Sequence, residues 1–176
     1  FVISDNGALT SLADFSSFAT ISYNLSITYN PLLTNLDGFE SLTAIYQMQI
    51  YGNQILTNLQ GLSGLTNSQY IYVYSNAALT TLQGLHNIDP TTIYYLYVTN
   101  SPNLVTCDLE NFCTFITNGG SNTINGNATG CNTASDIQMA CGDNDFPTYS
   151  NISPTTYIGC LDANGSFTIS GLIANS

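Results

Sequence analysis

The amino-acid sequence predicts a mainly β fold: a β-solenoid of about six coils, each roughly 23–26 residues long, with one parallel sheet and a disulfide-stapled C-terminal cap. Three observations carry this reading. A phrase, apolar-x-apolar-x-x-Asn and then Leu-x-x-Leu, begins at Phe1, Leu25, Met48, Ile71 and Leu96 and returns weakened at Asn122. The step between these starts is nearly constant. A fixed period in this range marks stacked units, none of which buries its apolar face alone. All five cysteines lie from Cys107 onward, where the phrase decays.

Positions are counted from the first apolar residue of each coil. Positions 1 and 3 are apolar at Phe1/Ile3, Leu25/Ile27, Met48/Ile50, Ile71/Val73 and Leu96/Val98. This alternation predicts a strand with one buried face. Positions 2 and 4 then point outward: Val2/Ser4, Ser26/Thr28, Gln49/Tyr51, Tyr72/Tyr74 and Tyr97/Thr99. Position 6 is Asn6, Asn30, Asn53, Asn76, then Ser101, then Asn127. A carboxamide both donates and accepts, so stacked asparagines can satisfy backbone groups freed where the chain turns inward. Position 9 is Leu9, Leu33, Leu56, Leu79 and Leu104; position 12 is Leu12, Leu36, Leu59, Leu82 and Cys107; position 15 is Phe15, Phe39, Leu62 and Leu85. Position 14 is Gly38, Gly61 and Gly84, with Asp14 in the first coil, which fits a bend needing unusual backbone angles.

Each coil therefore has a short strand and a second, irregular or 3₁₀-like side with spaced leucines. Long helices are not expected from coils rich in Thr, Asn, Gly, Tyr and Ser. Strands of successive coils should pair in parallel about 4.8 Å apart, giving a sheet roughly 25 Å along the stacking axis. At the far end, Cys107 is at position 12 of its coil and Cys131 near position 10 of the next. Cys113 is at position 18 and Cys141 near position 20 of the next. This register predicts Cys107–Cys131 and Cys113–Cys141, one of three connectivities open to four cysteines. Paired C-x₂₋₄-C spacing for zinc is absent. Disulfides imply an oxidising, extracellular-type compartment. Cys160 is left over, for a partner elsewhere or as a free thiol.

The chain has 176 residues, no Lys or Arg, 11 acidic residues and a formal net charge of −11. An average chain of this length carries about twenty basic residues. Without them there is no basic patch for phosphates, which argues against nucleic-acid and anionic-membrane partners. No apolar run reaches the length of a membrane span. The acidity reads as a solubility device, or as an extracellular protein without sites for trypsin-like proteases. The chain starts inside a repeat without Met and reads as a fragment or processed form. Residues 1–142 form the expected solenoid with its cap. Residues 143–158 read as a linker. Residues 159–176, with an Asn164-Gly165 turn before Phe167-x-Ile169, read as the start of a further β segment or domain.

The phrases LSITYNPLLTNLDGFESLTAI and GLHNIDPTTIYYLYVTNSPNLVTC resemble the receptor-L-domain-like leucine-rich repeats of secreted bacterial surface proteins. The ending DLENFCTFITNGGSNTINGNATGCNTASDIQMAC resembles the cysteine-bearing C-terminal cap of that family. The resemblance covers about residues 1–142. It implies a leucine-rich-repeat-like solenoid in a secreted or surface-anchored, often multidomain protein, sometimes cargo of the type IX secretion route, and usually assigned to adhesion or recognition. It brings no catalytic residues with it. The chain departs from the family in its lack of basic residues, its load of Tyr and the lack of a visible sorting domain.

Ten of the twelve tyrosines lie between Tyr23 and Tyr97. Tyr51, Tyr72, Tyr74 and Tyr97 occupy the outward positions and are expected to form a contiguous ligand-binding face, because adjacent strands bring equivalent positions together. Tyr offers a large apolar ring, a polar tip and little entropy to lose. It also simply favours strands. Tyr46, Tyr70, Tyr94 and Tyr95 are expected under turns. No Asp or Glu stands at positions 2 or 4, so the paired carboxylates of a glycosidase are missing there. A β-helix lyase lacks its Lys or Arg base, and His86, the only histidine, falls in a turn. These features predict a non-enzymatic extracellular module that binds glycan or protein, with a structural subunit of an extracellular filament or layer as the alternative. In the latter, the partners are copies of the chain itself. No cofactor is expected. Asp143-Asn144-Asp145 offers oxygen ligands that suit Ca²⁺, though three linker residues do not define a site. Sequons at Asn24, Asn127, Asn151 and Asn164 matter only where a host glycosylates them, and Asn127 is already committed to the asparagine row.

Overall fold

Alternation of apolar and polar residues produces strands where the sequence places them. The structure, a computed structural model, describes residues 1–142. Six strands form one sheet: β1 (Val2–Ser4), β2 (Asn24–Thr28), β3 (Ala44–Tyr51), β4 (Asn67–Tyr74), β5 (Tyr95–Thr99) and β6 (Asn122–Asn125). Every neighbouring pair is parallel and the spatial order is the chain order. Among the described residues the sheet is open, with β1 and β6 at its edges. The strands β3 and β4 span 8 residues each, longer than the core phrase alone requires.

The register matches position to position. Ile3 pairs with Ile27, Leu25 with Met48, Ile50 with Val73, and Ile71 with Leu96. A one-residue slip would turn each of these apolar side chains to the other face, so burial holds the alignment. Leu25, Ile27, Met48, Ile50, Ile71, Val73 and Leu96 are all fully buried.

Between strands the chain returns through a series of turns in which an N–H bonds the carbonyl three residues earlier. Leu33 bonds to Asn30, Leu56 to Asn53, Leu62 to Leu59, Leu65 to Leu62, and Leu85 to Leu82. This three-residue rhythm explains the leucine spacing, because each turn returns an inward position. Short 3₁₀ turns lie at Ala13–Phe15, Gln60–Leu62 and Pro90–Thr92. A second backbone ladder links successive returns: Thr57 N–H donates to Thr34 O, Thr80 to Thr57 O, and Thr106 to Thr80 O. The hydroxyls of Thr57 and Thr80 reinforce the same carbonyls.

Gly38, Gly61 and Gly84 meet the expectation of unusual backbone angles only in part. Only Gly38 and Gly84 have positive φ. At all three, however, a Cβ would fall within 2.0 Å of the carbonyl oxygen of Leu12, Leu36 or Leu59 in the preceding unit. Close backbone approach is the shared cause.

The end beyond β5 changes character. Helix α1 (Glu110–Thr117) precedes β6 and α2 (Ala134–Gly142) follows it. Phe112 is fully buried, and Asn111 donates both amide hydrogens to Leu85 O and Ile88 O, satisfying carbonyls left at the last return. Thr133 and Asp136 cap the start of α2 reciprocally. Disulfides join Cys107 to Cys131 and Cys113 to Cys141, with Cα separations of 5.9 and 5.8 Å. Such bonds belong to an oxidising environment. Among the described residues no helix is long and apolar enough to cross a membrane. Asp143, Asp145, Asn151, Cys160, Asn164, and the expected linker and further β segment lie outside the described residues.

Candidate functional site

The site is built on the outward face by the backbone row beneath it. Asn30, Asn53 and Asn76 are fully buried just past their strands. Each Oδ1 accepts the N–H of the equivalent residue one unit earlier: Asn6 to Asn30 at 3.2 Å, Asn30 to Asn53 at 3.1 Å, and Asn53 to Asn76 at 3.0 Å. Each Nδ2 donates to a strand carbonyl of that unit: Asn30 to Ile3, Asn53 to Ile27, and Asn76 to Ile50. Ser101 interrupts the row. Its hydroxyl only reaches Asn76 N–H at 3.4 Å and its own Thr99 O. Asn127 resumes it, accepting from Ser101 N–H and donating to Val98 O and Cys131 O. Its amide is thereby occupied within the fold.

A left-handed residue connects each strand to this row. Asp5, Tyr29, Ser75 and Asn100 have φ of 54–60°, and Gly52 and Gly126 take the matching place at 69° and 67°. The sequence hides this shared feature because six positions use five residue types. Tyr29 and Ser75 pay the steric cost, of order 1 kcal/mol each.

With strand ends held in one place, outward side chains fall into rows. One row is Ser26, Gln49, Tyr72, Tyr97 and Thr123; the other is Thr28, Tyr51, Tyr74 and Thr99. Tyr51 and Tyr74 stack with centroids 4.2 Å apart, Tyr74 meets Tyr97 edge-on at 5.5 Å, and Tyr72 lies 5.9 Å from Tyr97. The four outward tyrosines of the sequence reading thus form one cluster. Thr28 and Thr99 stand in the same row but are buried among their neighbours.

The cluster is larger than the four. Tyr23 stacks on Tyr46 at 4.7 Å, and Tyr46, Tyr70 and Tyr94 follow at 5.3 Å steps. Tyr70 meets Tyr72, Tyr95 meets Tyr72 and Tyr97, and Tyr29 meets Tyr51. All ten tyrosines from Tyr23 to Tyr97 are linked through ring contacts. The expectation that Tyr46, Tyr70, Tyr94 and Tyr95 pack under turns is therefore corrected: Tyr94 is 68% exposed and the other three are half-buried on the face. The longer β3 and β4 place Tyr46 and Tyr70 on the sheet, which short strands would not.

The face has hydrogen-bonding groups but no charges at its outward strand positions. Gln49 Nε2 donates to Tyr74 Oη at 2.6 Å, and Tyr95 Oη pairs with Thr123 Oγ1 at 2.7 Å. The Tyr29 phenol is held above its ordinary pKa by its hydrogen bond to the Tyr51 hydroxyl, and that of Tyr46 chiefly by the neighbouring Tyr70 hydroxyl. Gln47, Gln49, Tyr72, Tyr74 and Tyr97 line an open, shallow hollow of about 290 Å³.

Other candidates stand apart. His86 is exposed in a turn. Among the described residues no group of three or more His, Cys, Asp or Glu could hold a metal ion. Asn24 begins β2 half-buried, with its Oδ1 enclosed and unpartnered, which presents its side chain poorly for glycosylation. Scans of the chain against protein-family models, curated proteins and solved structures find no match.

Proposed function

We propose that the chain is a leucine-rich-repeat-like solenoid that works outside the cell as a non-enzymatic recognition or adhesion module. It binds glycan or protein through the tyrosine face. The observation that carries this reading is the continuous cluster of ten tyrosines on a sheet whose outward strand positions hold no carboxylate or base. Aromatic rings with polar tips supply contact area at low entropic cost, the usual chemistry of a binding surface. General acid–base catalysis would need titratable groups within reach of one another and of a substrate. The two disulfides support an extracellular setting.

The test compares the wild-type chain with Tyr72→Ala/Tyr74→Ala on panels of immobilised glycans and extracellular proteins. The variant is expected to lose the wild type's binding while keeping its fold, as judged by circular dichroism. Unchanged binding by a folded variant removes the face as the site.

A further inference from the structure

We propose that the hollow on β3, β4 and β5 binds an uncharged polysaccharide, laid across successive strands along the sheet. This rests on the reading of the tyrosine face as a recognition surface, and narrows glycan or protein to one chemistry.

Charge makes the first selection. The chain has no Lys or Arg and a formal net charge of −11. A carboxylate, sulfate or phosphate entering the hollow would exchange water for neutral donors alone, inside a repulsive field. A cationic ligand would find ring faces but no carboxylate at the outward positions of the six described strands. Protein surfaces are rich in charged side chains, and a protein partner would need a contact of about 800 Å² per side. The tyrosine rows offer no charge to pair with such side chains. An uncharged ligand loses nothing by this.

The lining makes the second selection. Tyr72, Tyr74 and Tyr97 supply ring surface, and Gln47 and Gln49 supply two carboxamides. Gln49 is held by its bond to Tyr74 Oη. The carboxamide of Gln47 and the hydroxyls of Tyr72 and Tyr97 have no side-chain partner among the described residues, so they can both donate to and accept from a ligand. A pyranose ring presents the matching pair of surfaces, apolar C–H faces and a rim of hydroxyls.

The register makes the third. Ser26, Gln49, Tyr72, Tyr97 and Thr123 are successive partners in one row. Their strands are spaced by about 4.8 Å, comparable to the length of one sugar unit. A linear chain along this row meets an amide, a ring or a hydroxyl at each step.

The experiment is native electrophoresis of the full chain through gels containing hydroxyethylcellulose, galactomannan or dextran, with alginate as the acidic comparison. Tyr72→Ala/Tyr97→Ala and Gln47→Ala/Gln49→Ala are run beside the wild type, and their melting curves establish folding. Retardation of the wild type by at least one neutral polymer is expected, insensitive to salt. Each variant should weaken it at least about tenfold, the scale of losing two such contacts. The glutamine pair serves as the reading if the tyrosine pair does not fold. Retardation by alginate alone, or by no polymer, overturns the neutral-polysaccharide assignment. It leaves the broader face reading to the glycan and protein panels. Undiminished retardation of the folded variants overturns both.

Discussion

On strand β4, Ile71 and Val73 are fully buried, while Tyr72 and Tyr74 are half-exposed one residue away. The same backbone thus presents two surfaces that answer to different constraints. Inward, the side chains are chosen for volume, and the buried asparagines beside them satisfy particular carbonyls and N–H groups. Outward, nothing in the sheet demands tyrosine: Ser26, Gln49 and Thr123 occupy the row of Tyr72 and Tyr97 without altering its register. The fold would accept many residues there. That difference separates what holds the chain together from what is left for contact.

The comparison breaks first if the inner row is dispensable. Asn53→Ala leaves the buried Asn30 N–H without its acceptor and removes the amide that bonds Ile27 O in addition to the sheet ladder. The unsatisfied buried N–H costs about 1–3 kcal/mol and the lost amide bond about 1 kcal/mol more, so a loss of about 2–4 kcal/mol is expected in denaturant unfolding. A loss under about 1 kcal/mol would show that water replaces the amide and that the row is ornamental to stability.

Tyr74→Ala is the outward counterpart on the neighbouring strand. It removes a stack on Tyr51 and an edge contact with Tyr97. Such aromatic pairs are worth about 0.5–1.5 kcal/mol beyond area, and the side chain is only half-buried. An expected loss of about 1–2 kcal/mol keeps it below Asn53→Ala. Equal losses by thermal and denaturant unfolding would mean that the tyrosines are structural and that the two faces do not divide as described.

A third substitution sharpens the inner row. Ser101 is fully buried and its hydroxyl is too short to make the strand-carbonyl bond that Asn76 and Asn127 make. Ser101→Asn restores the carboxamide at the site where every other unit carries one. A gain of about 1 kcal/mol is expected, the net value of an added hydrogen bond. The steps from Asn76 to Ser101 and from Ser101 to Asn127 are longer than those before them. Destabilisation would mean that these longer units leave no room for the larger side chain.

These contrasts also show what could be read from residues alone. Alternation of Ile, Leu and Val with polar residues reveals strands and register because a one-residue slip would expose the core. Asparagine at position 6 is legible because its chemistry is bifunctional. The cysteine pairing follows from positions that become neighbours on stacking. The left-handed residue before each asparagine escapes the same reading. Asp5, Tyr29, Gly52, Ser75, Asn100 and Gly126 share a backbone angle but no side-chain chemistry. The threonine ladder escapes because a Thr following Leu is unremarkable until Thr34, Thr57 and Thr80 are aligned in space. The wider tyrosine cluster escapes because it depends on how far β3 and β4 extend towards their N-termini. The phrase begins at Met48 and Ile71 and gives no signal for the earlier pairing of Ala44 with Asn67 or Gln47 with Tyr70.

The smallest effect is a titration. The raised phenol pKa values of Tyr29 and Tyr46 mean that the folded chain holds these protons more tightly than the unfolded chain. Their contribution to stability is therefore complete below the ordinary phenol value of about 10. It is lost as pH rises through the higher folded values. Tyr29 is exposed and Tyr46 only half-buried, so solvent screening keeps the effect small. In an alkaline ultraviolet titration, these two phenolates should form later than free tyrosine. Tyr51→Phe removes the hydroxyl that chiefly raises Tyr29, while leaving a ring in its place. Tyr29 should then titrate closer to the ordinary value and Tyr46, whose main partner is Tyr70, should not move. If both shift together, the outward rings act as one electrostatic unit. If neither shifts, the Tyr29–Tyr51 hydrogen bond is absent in solution and the outer face is held by ring contact alone.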